Sequence, residues 1–210
     1  MNNLFKQKKT VLFMGDSITD AGRTNDRPPY GYGFMAFFRL LVLTKYPGKN
    51  LNFINSGICG NTMDGLALRW EKDVLHHNPD ILICLAGIND VFCSLNSDRP
   101  LQDHLNNFCI KLDTALTQSR YSGIETICLL TPFYAHTDAK DETAARCRRF
   151  ADIVRQLAKT HNCLLFDSAN IFDAALKQCP HDFWTTDRVH PREQGHMLLA
   201  LKLLSFMETQ

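Results

Sequence analysis

The chain has 210 residues, 45% of them apolar and 21% charged, and a formal net charge of +1. That length and composition fit one folded domain around a single core and exclude a disordered tail protein. A charge so near zero leaves no basic field to draw the protein onto nucleic acid or an acidic membrane, and no apolar run nears the roughly 18–20 residues of a membrane span.

Residues 1–10 are polar and contain no apolar run of signal-peptide length. Eight cysteines form no C-x-x-C pair, and Cys84, Cys128 and Cys163 sit inside apolar runs, where a thiol behaves as a small hydrophobe. The expectation is a reducing, cytoplasmic setting.

Apolar runs at 11–14, 51–54, 81–86, 126–130 and 163–166 are mostly continuous rather than alternating, the pattern of strands covered on both faces. Between and after them, helical spacing predicts helices near 33–46, 64–77, 101–120, 142–161 and 192–207, the third and the last opened by Pro100 and Pro191. Strand–helix alternation repeated in this way predicts a five-stranded parallel sheet with helices on both faces, in one α/β domain spanning 1–210. Ligands bind such sheets beyond the carboxyl ends of the strands. That directs attention to Gly15-Asp16-Ser17, Asn55-Ser56-Gly57, Gly87-Ile88-Asn89-Asp90 and Thr131-Pro132-Phe133.

Ser17 follows the first strand at a strand-to-helix turn, where a helix N-terminus favours developing negative charge. It reads either as a nucleophile awaiting a base or as an ordinary N-cap. The Gly-x-Ser-x-Gly elbow of α/β-hydrolases is absent, since Thr19 stands two residues on. In Asp187-Arg188-Val189-His190-Pro191 a carboxylate precedes a histidine by three positions, just ahead of the last helix. There Asp187 can orient His190 as a general base, or both can cap the helix. Acyl transfer also needs donors for an oxyanion, and the Ser17 N–H, the Gly57 N–H and the Asn89 amide are the candidates. No histidine pair has metal-ligand spacing, so no metal is expected.

These blocks resemble, in order and spacing, those of the GDSL-type SGNH hydrolase family, named for residues that fall here on Ser17, Gly57, Asn89 and His190. Ile18 replaces the leucine of the family name. The resemblance implies a flavodoxin-like, three-layer α/β/α sandwich and cofactor-free ester hydrolysis by Ser17, His190 and Asp187. Gly60-Asn61-Thr62, Leu68-Arg69-Trp70-Glu71, Leu130-Thr131-Pro132-Phe133-Tyr134 and Asp187-Arg188-Val189-His190-Pro191 look most like the intracellular carbohydrate acetylesterase branch, which includes acetylxylan esterases. Thr186 stands where that branch often has an aromatic residue, with Trp184 nearby.

The expected partner is a small-molecule ester, an acetylated sugar first, with Tyr30 and Trp184 as aromatic platforms at the pocket mouth. Neither nucleic acid nor membrane insertion is expected, and a homo-oligomer is compatible with the sequence. The polar loops 16–32 and 134–142 favour a short acyl group over the long chains of a lysophospholipase or thioesterase. A non-catalytic binding domain is the rival from another class; it has no need of Ser17, Asp187 and His190 together. Helical spacing makes Arg69 and Trp70 a core stripe rather than a substrate platform.

Overall fold

The computed structural model describes residues 4, 5, 8–138 and 140–210; the rest of the polar N-terminal stretch and Ala139 of the 134–142 loop lie outside the described residues. Five parallel strands, β1 (Thr10–Gly15), β2 (Asn52–Gly57), β3 (Ile81–Leu85), β4 (Thr126–Leu130) and β5 (Leu164–Phe166), form one sheet in the order β2-β1-β3-β4-β5. This is the flavodoxin-like order. All five strands form where the apolar runs predicted them, β1 and β2 running one and three residues further toward the site. β3, at the centre, is buried along its whole length.

Helices α1 (Ser17–Asp20) and α2 (Phe34–Lys45) follow β1; α3 (Met63–Asp73) follows β2; α4 (Ile88–Leu95) and α5 (Leu101–Tyr121) follow β3. Then come α6 (Glu142–Thr160) after β4 and α7 (Ser168–Leu176), α8 (His181–Trp184) and α9 (Glu193–Glu208) after β5. Right-handed crossovers decide the layers. The chain steps outward from β1 to β2 through α2, then reverses toward β3, β4 and β5 through α3, α5 and α6. The reversal puts α2 on one face and the other three on the opposite face, where α5 packs against both α3 and α6. α9 returns to pack along α2, and Glu208 meets Lys45 at 2.7 Å at the end of that seam. Connections leave β1 and β3 in opposite directions, so the crevice beyond their ends is the topological switch point where such sheets bind ligands.

Local signals account for several helix starts. Thr62, Asp141 and Asp167 each accept a backbone N–H from the first turn of α3, α6 and α7. The sequence reading missed α1, α4, α7 and α8, all short. Among the described residues, no helix is long and apolar enough to cross a membrane.

Candidate active site

Ser17 opens α1 at the end of β1, held by a turn built almost wholly inside the protein. The preceding Asp16 is fully buried; its Oδ1 accepts the Ile18 N–H at 3.0 Å, while Oδ2 has no partner among the described residues. Burial pushes the Asp16 carboxyl up to about 6, against the opposing pull of the Ile18 N–H and of His190. Asp20, also buried, receives the Cys59 N–H at 3.2 Å and so ties α1 to the loop after β2.

The second half of the site comes from the other end of the chain. Thr186 N–H donates to the His190 carbonyl at 2.9 Å and Arg192 N–H to the Trp184 carbonyl at 2.9 Å, closing 185–191 into a compact loop. Arg188 sits at φ +71° within it. Asp187 Oδ1 accepts the N–H groups of Val189 and His190 at 3.1 and 2.8 Å, and its Oδ2 accepts from His190 Nδ1 at 2.7 Å. Burial alone would raise the Asp187 carboxyl, but these hydrogen bonds and the adjacent imidazole hold it below the usual carboxylate range. With Nδ1–H committed to Asp187, His190 Nε2 is an acceptor, and it lies 2.9 Å from Ser17 Oγ. A serine hydroxyl, an imidazole and a carboxylate are therefore joined in one hydrogen-bonded line across 173 residues of sequence.

Of the three expected oxyanion donors, the structure argues against one. Gly57 is not available as a donor. Its N–H is taken by the side-chain Oδ1 of Asn55 at 2.9 Å, and a Cβ there would come within 2.2 Å of the Asp20 nitrogen. Gly57 is a packing glycine that lets α1 lie against the end of β2. Gly60, three residues on, is exposed at φ +78° with open space around it, and among the described residues its N–H has no protein acceptor. Asn89, in the first turn of α4 beyond β3, donates one amide hydrogen to the Asn61 carbonyl at 3.0 Å. That contact sets it beside the Gly60 loop and leaves its second amide hydrogen for a ligand. The Ser17 N–H, at the start of α1, is an orphan donor of a helix N-terminus.

Arg69 explains how this loop is fixed. Its guanidinium donates to the carbonyls of Gly15 (3.0 Å) and Ser56 (2.8 Å), to Asn61 Oδ1 (2.7 Å) and to Asp73 Oδ2 (2.8 Å), tying the ends of β1 and β2 to the loop. Trp70 is buried core, as the helical spacing indicated. Behind Asn89, both oxygens of Asp90 receive the Met63 N–H at 3.1 Å, and burial pushes that carboxyl up to about 7. The segment after β4 stays out of the site: Thr131 Oγ1 donates to Asp167 Oδ1 at 3.1 Å.

A cavity of about 390 Å³ opens at Ser17 and His190, walled by Ile18, Ala21 and Pro191 and by polar Tyr32, Thr186, Arg192, Glu193 and His196. The two proposed aromatic platforms are not among these residues. The Tyr30 ring is covered by the Arg39 guanidinium, 4.2 Å from its centroid, and Tyr32 takes the place at the cavity. Trp184 donates its indole N–H to the Ala175 carbonyl at 3.2 Å and lines a separate cavity of about 280 Å³ with Leu198 and Lys202. A larger cavity, about 440 Å³, borders the same loop at Arg188 but includes neither Ser17 nor His190. Among the described residues, no three His, Cys, Asp or Glu side chains converge as metal ligands would.

The profile of the GDSL-like lipase/acylhydrolase family matches residues 13–198. The chain belongs to this family. It is 32% identical over 201 residues to an acetylxylan esterase of Geobacillus stearothermophilus, spanning 92% of this chain and 91% of that protein. The crystal structure of Axe2, an acetylxylan esterase from the same organism, matches with a TM-score of 0.88 at 31% identity, over 97% of this chain and 95% of that one. LAE5, an α/β hydrolase enzyme from the metagenome of Lake Arreo in Spain, matches at 0.89 and 28% identity, over 99% and 98% of the two chains. Three further Axe2 structures are catalytic mutants in which a serine, an aspartate or a histidine is replaced by alanine. This GDSL hydrolase is a carboxylic ester hydrolase, and the resemblance read from its sequence blocks is borne out.

Proposed function

We propose that the protein removes acetyl groups from a sugar or oligosaccharide by two-step acyl transfer through Ser17, His190 and Asp187. The observation that carries the mechanism is the unbroken line from Ser17 Oγ through both nitrogens of His190 to Asp187, standing at the switch point of the sheet. His190 takes the Ser17 proton as the hydroxyl attacks the ester carbonyl, while Asp187 holds the imidazole in the required tautomer and stabilises its cationic form. The oxyanion is received by the N–H groups of Ser17 and Gly60 and the free Asn89 amide hydrogen. His190 then protonates the leaving alcohol and activates water to release acetate. The catalytic mutants of Axe2 support this assignment, since its aspartate and histidine are three positions apart, as Asp187 and His190 are.

The choice of alcohol is supported by the acetylxylan esterase at 32% identity and by the polar groups around the Ser17 cavity. A long acyl chain gains about 0.8 kcal/mol for each methylene buried, and needs an apolar groove to do so. The five polar side chains on the cavity wall, Tyr32, Thr186, Arg192, Glu193 and His196, suit a hydroxylated alcohol. The test is kcat/KM across acetyl, butyryl, octanoyl and palmitoyl esters of one alcohol, with acetylated xylose alongside. Acetyl should lead and octanoyl should trail. A maximum at octanoyl or beyond would replace this reading with a lysophospholipase or thioesterase.

A further inference from the structure

His196 lies one turn into α9, on the wall of the Ser17 cavity, and the mechanism above does not use it. Its ring is 4% exposed, and Nδ1 accepts the Phe34 N–H at 3.1 Å. A backbone N–H can only donate, so Nδ1 carries no proton, and the neutral ring must carry its hydrogen on Nε2. Burial, reinforced by the nearby His190, pushes this imidazole down to about 4, so it is neutral at physiological pH. Among the described residues Nε2 has no protein partner, yet it is not among the sealed, unpartnered polar atoms of the core. It is therefore reachable, and the cavity it can be reached from is the one that holds Ser17 and His190.

Capping α2 does not require a histidine. Gly33, the N-cap, offers no side-chain acceptor, but a shorter amide or carboxylate at position 196 could serve Phe34 equally well. What only the imidazole supplies is a rigid second nitrogen, on the far side of the ring, with a fixed hydrogen. The cavity wall also says which half of the substrate lies there. Gly60 and Asn89, the proposed oxyanion donors, are not part of it, whereas Pro191, Arg192 and Glu193 continue directly from His190. The leaving oxygen must sit at His190 Nε2 to be protonated, so the alcohol extends along this wall.

We infer that His196 is a specificity-determining residue whose Nε2–H donates to a hydroxyl or ring oxygen of the alcohol half of the substrate. This rests on the esterase mechanism proposed above and deepens it: the enzyme selects hydroxylated alcohols through a donor of fixed direction. A site built to meet a hydroxyl discriminates against analogues that lack it, because its own buried group is then left unpaired.

Two substitutions separate the two nitrogens. His196→Asn can place its Oδ1 where Nδ1 lies, keeping the Phe34 contact but leaving nothing at Nε2. His196→Gln can place an amide N–H near Nε2 but gives up the Phe34 contact. The readout is the ratio of kcat/KM for monoacetylated xylose to that for cyclohexyl acetate, a ring alcohol without other oxygens. In His196→Asn the ratio should fall about tenfold, chiefly through KM for the sugar ester, the size of effect expected of one neutral hydrogen bond. His196→Gln should lower Tm more than His196→Asn yet keep most of the wild-type ratio. A ratio unchanged in His196→Asn, or one lost equally in both variants, would overturn the inference and leave His196 a structural cap. If His196→Asn fails to fold, the Gln variant decides alone: a folded Gln enzyme without the preference refutes the donor. A wild-type enzyme inactive on both esters would instead overturn the underlying mechanism.

Discussion

The proposed nucleophile and the proposed base are held in place by two different kinds of structure. The Ser17 turn is part of the core: Asp16, Ile18, Thr19 and Asp20 are all buried, and Gly57 admits the turn against β2 with no room for a methyl group. The 185–191 loop is anchored in the core by Thr185, Val189 and Pro191, but it carries Asp187 and His190 outward, with side chains 54% and 47% exposed, and it keeps its shape mainly by hydrogen bonds among its own residues. The carboxylates respond accordingly. Asp16 and Asp90, beneath the nucleophile side, are pushed up to about 6 and 7 by burial, whereas Asp187 is held down by the N–H groups it accepts. A buried arm fixes position at the expense of ionisation; an exposed arm keeps its charge and relies on local geometry.

The sharpest way to break this contrast is to remove one group from each arm. Ser17→Ala should lower kcat by more than about 10⁴-fold and abolish labelling of the Ser17 peptide by a fluorophosphonate. Asp187→Asn should lower kcat by about 10³- to 10⁴-fold, since an amide can hold the imidazole in the wrong tautomer. Because Asp187 is half-exposed, its substitution should hardly move Tm; a variant that unfolds would show that the loop depends on more than its own hydrogen bonds. Single-turnover rates and thermal melts on the same samples check both.

Next in size is the anion-binding loop, where the contrast lies between two glycines and an asparagine. Asn89→Ala should reduce kcat about 10²- to 10³-fold with KM little changed, the usual loss for one oxyanion donor. Gly57→Ala should behave oppositely, lowering Tm strongly through the clash with the Asp20 backbone, while the protein that remains folded retains most of its kcat. A Gly57→Ala enzyme that is stable but inactive would restore Gly57 as a donor.

The smallest effect concerns pH. A carboxyl raised by folding contributes stability that is complete below its unfolded value and is lost as pH rises through its folded value. For Asp90 that window runs from about 4 to about 7. Asp90→Asn keeps an acceptor for the Met63 N–H but cannot ionise. Relative to wild type, its Tm should therefore be several degrees higher at pH 8 than the same comparison at pH 5, at about 2–4 °C per kcal/mol for a domain of this size. An identical difference at both pH values would mean that Asp90 is not protonated on folding.

The same division between core and surface explains what the sequence made legible. Continuous apolar runs and long amphipathic periods mark the five strands and the five long helices because burial itself writes those patterns. The eight residues of α4 begin with Ile88-Asn89-Asp90 behind Gly87, which together read as a turn, and α8 is a single turn with no fully buried residue. Ser17, Asn89, Asp187 and His190 stand out as candidates in the sequence because each follows a strand end or precedes a helix at a telling distance. Choosing between Gly57 and Gly60 depended on which N–H was already engaged, and Asn55 folding back on its own strand leaves no mark in the sequence. Tyr30 and Tyr32 differ only in which ring Arg39 covers. His196 looked like one more helical residue, since nothing in a linear pattern places it beside Phe34, 162 residues away.

The seam between α2 and α9 has a consequence for when the proposed site is complete. Ser17 closes the first strand, whereas the proposed base and its carboxylate lie between β5 and α9, the helix that packs on α2 and meets it at Glu208 and Lys45. A fragment that lacks residues 185–208 should therefore keep all five strands and Ser17 yet hold only an unactivated hydroxyl.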